Sequence, residues 1–182
     1  INSSLGYTTF DDPAQNHTIS DLDGNTAVAT RAADYAASKG IIVVVSAGNN
    51  GNDSWHYIGS PADADSVLAI GSVDEFENYS PFSSTGPSAD GRIKPNVAAM
   101  GQGTTVLTSE GTIVQDSGTS FSSPIIAGLT ACLWQANPGL SNMEIIDAIQ
   151  KSADQYQNPD SLKGYGIPDF AIANLLLKGK DP

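Results

Sequence analysis

The apolar positions of this chain alternate between two kinds of run. Ile41-Ile42-Val43-Val44-Val45 is five β-branched residues in succession. Apolar on both faces, it predicts a strand buried on both sides, as in a parallel sheet. Before it, from Thr26 to Lys39, Ala29, Ala32, Ala33, Ala36 and Ala37 recur at helical spacing. Gly40, just past that helix, suits a left-handed C-cap. Val67-Leu68-Ala69-Ile70 predicts a second buried strand, and Ile93–Ala98 is a weaker candidate. Thr104–Leu107 and Thr112–Gln115, flanking Glu110-Gly111, predict a β-hairpin. Phe121–Gln135 is apolar nearly all round, which predicts a buried central helix with Cys132 as a small hydrophobe inside it. Ser141 with Glu144 three residues on forms a capping box, and Pro168 can open a last helix through Leu177. Ile1–Leu5 reads as the end of a strand with nothing before it to pair with, and residues 6–25 as a long polar loop. Helices alternating with strands predict an α/β fold with a mainly parallel sheet, residues 1–182 forming a single domain whose front is missing.

Composition narrows the function classes. The 182 residues carry 20 Asp and Glu against 8 Lys and Arg, a net charge of −12. That balance excludes phosphate-tracking nucleic-acid binding. Most of the acid lies in the first half, where only Arg31 and Lys39 oppose it. Cys132 is the sole cysteine, so neither an internal disulfide framework nor a Cys-rich zinc site is expected. No apolar run reaches the roughly 18–20 residues that cross a bilayer.

Two segments carry chemistry. Gly118-Thr119-Ser120-Phe121-Ser122-Ser123-Pro124 places a serine at the mouth of the central helix. There the helix dipole and the free N–H groups of the first turn stabilise a developing anion. Read locally, the same serine is more simply an ordinary helix cap. Ser46-Ala47-Gly48-Asn49-Asn50-Gly51 directly follows the buried strand, at the carboxyl end where ligands of open parallel sheets bind. An asparagine there can aim its amide N–H₂ at an oxyanion, or simply form a turn.

Together these segments resemble the subtilisin-like serine peptidases, and the order of motifs matches along nearly the whole chain. Asn2-Ser3-Ser4-Leu5-Gly6 resembles that family's substrate-pairing strand edge, and Ile42–Gly51 its strand and oxyanion asparagine. Ser60-Pro61 through Asp74, Phe82–Pro87, Lys94-Pro95-Asn96-Val97 and Gly164-Tyr165-Gly166 resemble later signatures. The resemblance implies a subtilisin-like three-layer fold lacking its N-terminal strands and helices. It implies Ser120 as nucleophile and Asn49 as oxyanion donor. Ser4, Leu5 and Gly6 would pair with substrate, and Ala47 and Gly48 would wall the pocket for the side chain before the cleaved bond. Their small size leaves room there for a large or apolar side chain. The family usually has Asp where Asn96 stands, Pro where Met100 stands, and often His where Ile125 stands. Its D-[ST]-G and H-G-T motifs, which supply the acid and the base, have no counterpart here. His17 and His56 read as solvated loop residues.

The expectation is thus a piece of a serine endopeptidase acting on polypeptides, nearly inert by itself because Ser120 lacks a base. The rival is a non-catalytic binding or scaffolding module, and a further alternative is a peptide binder using the Ser4–Gly6 edge. That exposed edge also predicts pairing or swapping with another strand. Asp21-Leu22-Asp23-Gly24-Asn25 begins like a calcium loop, but Thr26 and Ala32 stand where an EF-hand needs Gly and Glu, so it reads as a turn. No cofactor is expected and no metal ligand is assigned, although the resemblance allows calcium elsewhere. Secretion, to the periplasm, cell surface or medium, is implied by the resemblance alone.

Overall fold

Four parallel strands lie side by side in the order β1 (Asn2–Ser3), β2 (Val44–Ser46), β3 (Leu68–Val73) and β4 (Val97–Met100) in the computed structural model, which describes residues 1–178. Asn2 pairs with Val44, Val44 with Leu68, and Ile70 with Val97. Side chains alternate across this sheet as the pleat requires. Ile42 and Val44 point to one face, where they pack with Leu68, Ile70 and Val97. Val43, Val45 and Ala47 point to the other, with Ile58, Val67 and Ala69.

Helices cover both faces, giving three layers. Helix α1 (Val28–Ser38) presents Ala33 and Ala36 to the second face. Helix α2 (Thr119–Ala136) lies on the first face through Ile126 and Leu133. Behind it pack α3 (Asn142–Lys151), through Ile145, Ile146 and Ile149, and α4 (Phe170–Lys178), through Ala173 and Leu177. The remaining pair, β5 (Thr104–Leu107) and β6 (Ile113–Asp116), forms the expected antiparallel hairpin.

Several boundaries shift for identifiable reasons. The run expected as a strand from Ile41 enters the ladder only at Val44, because its neighbours β1 and β3 begin there. Helix α1 starts at Val28 rather than Thr26, since the Asp23 carboxylate holds the amides of Asn25 and Thr26 in a turn, each at 2.8 Å. Helix α4 starts after Asp169, whose side chain accepts from Ala171 and Ile172. The capping box of Ser141 and Glu144 forms as expected, and Gly40 takes φ +83° past α1. Helix α2 is not buried all round. Ile125 and Leu129 are about two-fifths exposed and Cys132 is exposed, because the sheet shields only the Ile126–Leu133 stripe. Both the all-round burial of this helix and the buried cysteine are therefore corrected.

Lys94 is the largest wholly buried side chain. Its ammonium donates to Ala64 O at 2.7 Å and to Asn96 Oδ1 at 3.3 Å, and the same Asn96 oxygen accepts the amide of Ala69 on β3. Burial pulls its pKa from 10.5 down to about 7, the nearby Arg92 charge adds to the drop, and the Asp63 charge opposes it. Asp63, itself buried, is pushed upward by desolvation and held by Thr30 and Gly24.

Between pH 7 and about 10.5 the unfolded chain keeps the Lys94 proton that the folded chain has released. The unfolded state then binds more protons, so this residue makes stability rise with pH across that window and adds no slope below it. Urea denaturation of Lys94→Met should lack that rise. Parallel pH profiles of variant and parent from pH 7 to pH 10 would contradict the assignment.

Candidate active site

The carboxyl ends of β1 and β2 meet the N-terminus of α2, and the site is built where these three converge. Gly118 precedes the helix in extended backbone, so Ser120 is the second residue of the first turn. Its N–H has no partner among the described residues, as the first amides of a helix do not. Its hydroxyl is likewise unengaged.

Asn49, in the loop after β2, is fixed from the helix side. Its Oδ1 accepts both the backbone N–H and the hydroxyl of Thr119, each at 2.9 Å. Thr119 Oγ1 in turn accepts the Gly48 amide at 3.2 Å. With Oδ1 saturated in this way, the Asn49 Nδ2 donors stay free and lie 3.5 Å from where a side chain on Gly118 would begin. Asn49 and Ser120, each with an N–H donor unpartnered among the described residues, line one cavity. That is the donor pair an oxyanion needs.

The edge strand is tied to the same turn. Pro124 sits inside α2 and has no N–H to give to the carbonyl four residues back. That carbonyl is Ser120 O, and the hydroxyl of Ser4 donates to it at 3.3 Å. Ser123 Oγ reaches Asn2 Oδ1 at 2.7 Å beside it. Leu5 and Gly6 make no backbone hydrogen bond within the described residues, so their peptide groups remain open to a strand laid alongside.

A cavity of about 260 Å³ adjoins these groups. Of the sequence-predicted residues, Ser4, Gly6, Ala47, Gly48, Asn49 and Ser120 line it. Leu5 does not: its side chain is exposed and points away, as alternation along an extended segment requires. Thr119, Ser46, Thr8, Asn50 and Gly59 also line the cavity and were not expected. Thr119 belonged to a quoted motif, so its position between Gly118 and Ser120 was a usable signal. Thr8 and Gly59 meet only through the fold.

Neither histidine serves Ser120. His56 Nδ1 donates to Gly51 O at 2.7 Å, and the ring of His17 packs edge-on against Phe10. The turn at Asp21–Asn25 is filled by its own amides, as described above, and no cluster of three potential metal ligands occurs among the described residues.

The family description "Subtilase family" (Peptidase_S8) matches residues 1–166. The chain belongs to the subtilase family. It is 35% identical over 144 residues to the thermophilic serine proteinase of Bacillus sp. (strain AK1), a match covering 79% of this chain and 33% of that protein. It is 36% identical over 134 residues to the halolysin-like extracellular serine protease Nep of Natrialba magadii, covering 74% and 23%. The chain thus spans a third or less of the length of these curated relatives. The structure of the prenylagaramide maturation protease PagA superposes with a TM-score of 0.74 at 22% identity, over 98% of this chain and 61% of that one, which shows the shared fold. In this subtilase the site geometry rests on Thr119 as much as on the two residues that would contact a reacting carbonyl.

Thr119→Val keeps the shape but removes the hydroxyl that joins Gly48 to Asn49. It should lower stability by about 1–3 kcal/mol in urea denaturation. It should also broaden or shift the Asn49 side-chain NH₂ signals in a ¹⁵N spectrum. Unchanged Asn49 signals would show that Thr119 does not hold that amide.

Proposed function

We propose that this chain is the nucleophile-bearing part of a subtilisin-like serine endopeptidase. The observation that carries this reading is the locked Asn49 amide, which lines one cavity with Ser120, whose own N–H is unpartnered among the described residues. A substrate backbone laid along Leu5–Gly6 brings its scissile carbonyl to Ser120. The Ser120 oxygen bonds to the carbonyl carbon as its proton passes to a general base, and the two N–H donors take up the negative charge that forms. Collapse breaks the C–N bond, the amine leaves with that proton, and water hydrolyses the acyl-enzyme by the same route.

The base comes from a polypeptide segment outside residues 1–178, since neither His17 nor His56 is bonded to Ser120. The outer edge of β1 is the place such a segment would pair. Beside that edge, Ile1, Ile41, Val44, Ala131 and Trp134 line an apolar hollow of about 270 Å³, and the buried Thr130 hydroxyl in it has no partner among the described residues. Both features favour a strand with an apolar side chain packed behind it. Secretion fits the reading: the Natrialba magadii relative is described as extracellular, and no helix among the described residues is long and apolar enough to cross a membrane.

The second reading, a binding module without chemistry, rests on the same unpartnered serine. A fluorophosphonate probe separates the two. The chain alone should label negligibly. The chain fused behind the acid- and base-bearing front of the Bacillus sp. AK1 proteinase domain should label at Ser120, and Ser120→Ala should abolish the signal. Labelling of the isolated chain would overturn the missing base. A folded fusion that stays unlabelled would hand the site to the binding module.

A further inference from the structure

On the endopeptidase reading, the cavity beside Ser120 takes the side chain before the cleaved bond, and its lining decides which one fits. Every residue lining it is uncharged. A Lys, Arg, Asp or Glu side chain entering would lose water without gaining a counter-charge. The lining is also not apolar. Ser46 is only 7% exposed, and its hydroxyl makes no hydrogen bond within the described residues. Thr8 supplies a second hydroxyl that makes none. Asn50 commits its Nδ2 to Asp53 at 3.0 Å, which leaves its Oδ1 as an acceptor, 3.5 Å from where a side chain on Gly48 would begin.

Thr8 belongs to the long polar loop, and its placement is built. The Tyr7 amide donates to Ser60 O at 2.9 Å on one side, and Thr8 O accepts the His17 amide at 2.9 Å on the other. The Thr8 methyl lies 3.5 Å from the point where a side chain on Gly59 would start, so the two residues close the pocket together.

We propose that this pocket selects a neutral carboxamide side chain, Asn or Gln, for the residue before the cleaved bond, with Thr8 and Ser46 as its specificity-determining residues. A carboxamide carries one acceptor and a two-proton donor. Two hydroxyls, each able to give or take a proton, together with the Asn50 oxygen, satisfy both ends. A large apolar side chain would seal the Ser46 hydroxyl against carbon and leave it unpaired, which is the costly outcome. The room created by Ala47 and Gly48 is therefore bounded by a polar far wall, which replaces the expectation of a large or apolar occupant.

The test uses the ¹⁵N-labelled full chain titrated with acetyl-Ala-Ala-Ala-X-amide peptides, where X is Gln, Leu, Lys or Glu. Gln should bind about ten-fold tighter than Leu, with the shifts concentrated at Leu5, Gly6, Thr8 and Asn49. Thr8→Val and Ser46→Ala, both close in shape to the parent, should each reduce the Gln-to-Leu ratio while leaving the rest of the spectrum dispersed. Equal affinity for all four peptides, with shifts at Leu5, Gly6 and Asn49, would overturn the carboxamide preference and leave the endopeptidase reading standing. Shifts absent from Leu5, Gly6 and Asn49 with every peptide would overturn both.

Discussion

Two hydrogen bonds that span 70 and 116 residues of sequence fix the first turn of α2, and the rest of the site takes its position from them. Asn49 Oδ1 holds Thr119 from the β2 side, and the Ser4 hydroxyl holds the Ser120 carbonyl from the β1 side. The second bond exists because of Pro124. A helix with an ordinary residue there would close that carbonyl internally, whereas proline leaves it open for a partner from the sheet edge. Ser120 is thus clamped by the segments that leave two adjacent strands, and the position of these loop residues follows from the pairing of β1 with β2. The register is specified by two differently shaped cores, since a one-residue slip would send Val43, Val45 and Ala47 into the face that Ile42 and Val44 fill.

The buried charge network stands apart from this clamp and serves the opposite end of the sheet. Asn96 Oδ1 bridges the Ala69 amide and the Lys94 ammonium, so one side chain ties β3 to the entry of β4. With an aspartate at that position, as the family usually has, Lys94 would face a charge at close range. With asparagine its electrostatic compensation falls on Asp63, which lies in the same network as Thr30 of α1. A departure that leaves the chemistry untouched therefore redistributes the cost of burying a cation. The acid-rich first half of the chain adds no charged lining to the cleft, so the surplus of negative charge acts at the surface and not on the bound backbone.

What could be read from the residues was set by local periodicity and by motif order. The parallel α/β arrangement, the hairpin, the capping box and the helical position of Ser120 all follow from patterns a few residues long. The degree of burial did not follow. Helix α2 has an apolar composition on every side, and only the placement of the sheet decides that Ile126 is covered while Leu129 and Cys132 are not. Of the site residues, Ser120, Asn49, Gly6 and Gly48 came from turn chemistry and resemblance, and Leu5, expected to pair through its backbone, keeps its peptide groups open while its side chain is exposed. Thr8 and Gly59 carry no local signal, because their contact closes a loop of about 50 residues and no pattern within either segment encodes it.

On the proposed reading, the oxyanion donors and the general base belong to different stretches of polypeptide. An oxyanion site made from a helix terminus and a locked amide is complete once α2, β1 and β2 are in place, and it needs no proton bookkeeping to hold its shape. A general base adds nothing to that shape, so the donor pair can form in a chain that brings none. Preorganisation and proton transfer are then contributed by different stretches of polypeptide, and the first persists whatever happens to the second. On the proposed reading, a chain with these donors keeps the groups that meet a peptide carbonyl even where it cannot cleave the bond, so catalysis and recognition at this cleft would differ by one histidine and its orienting acid and not by the architecture around Ser120.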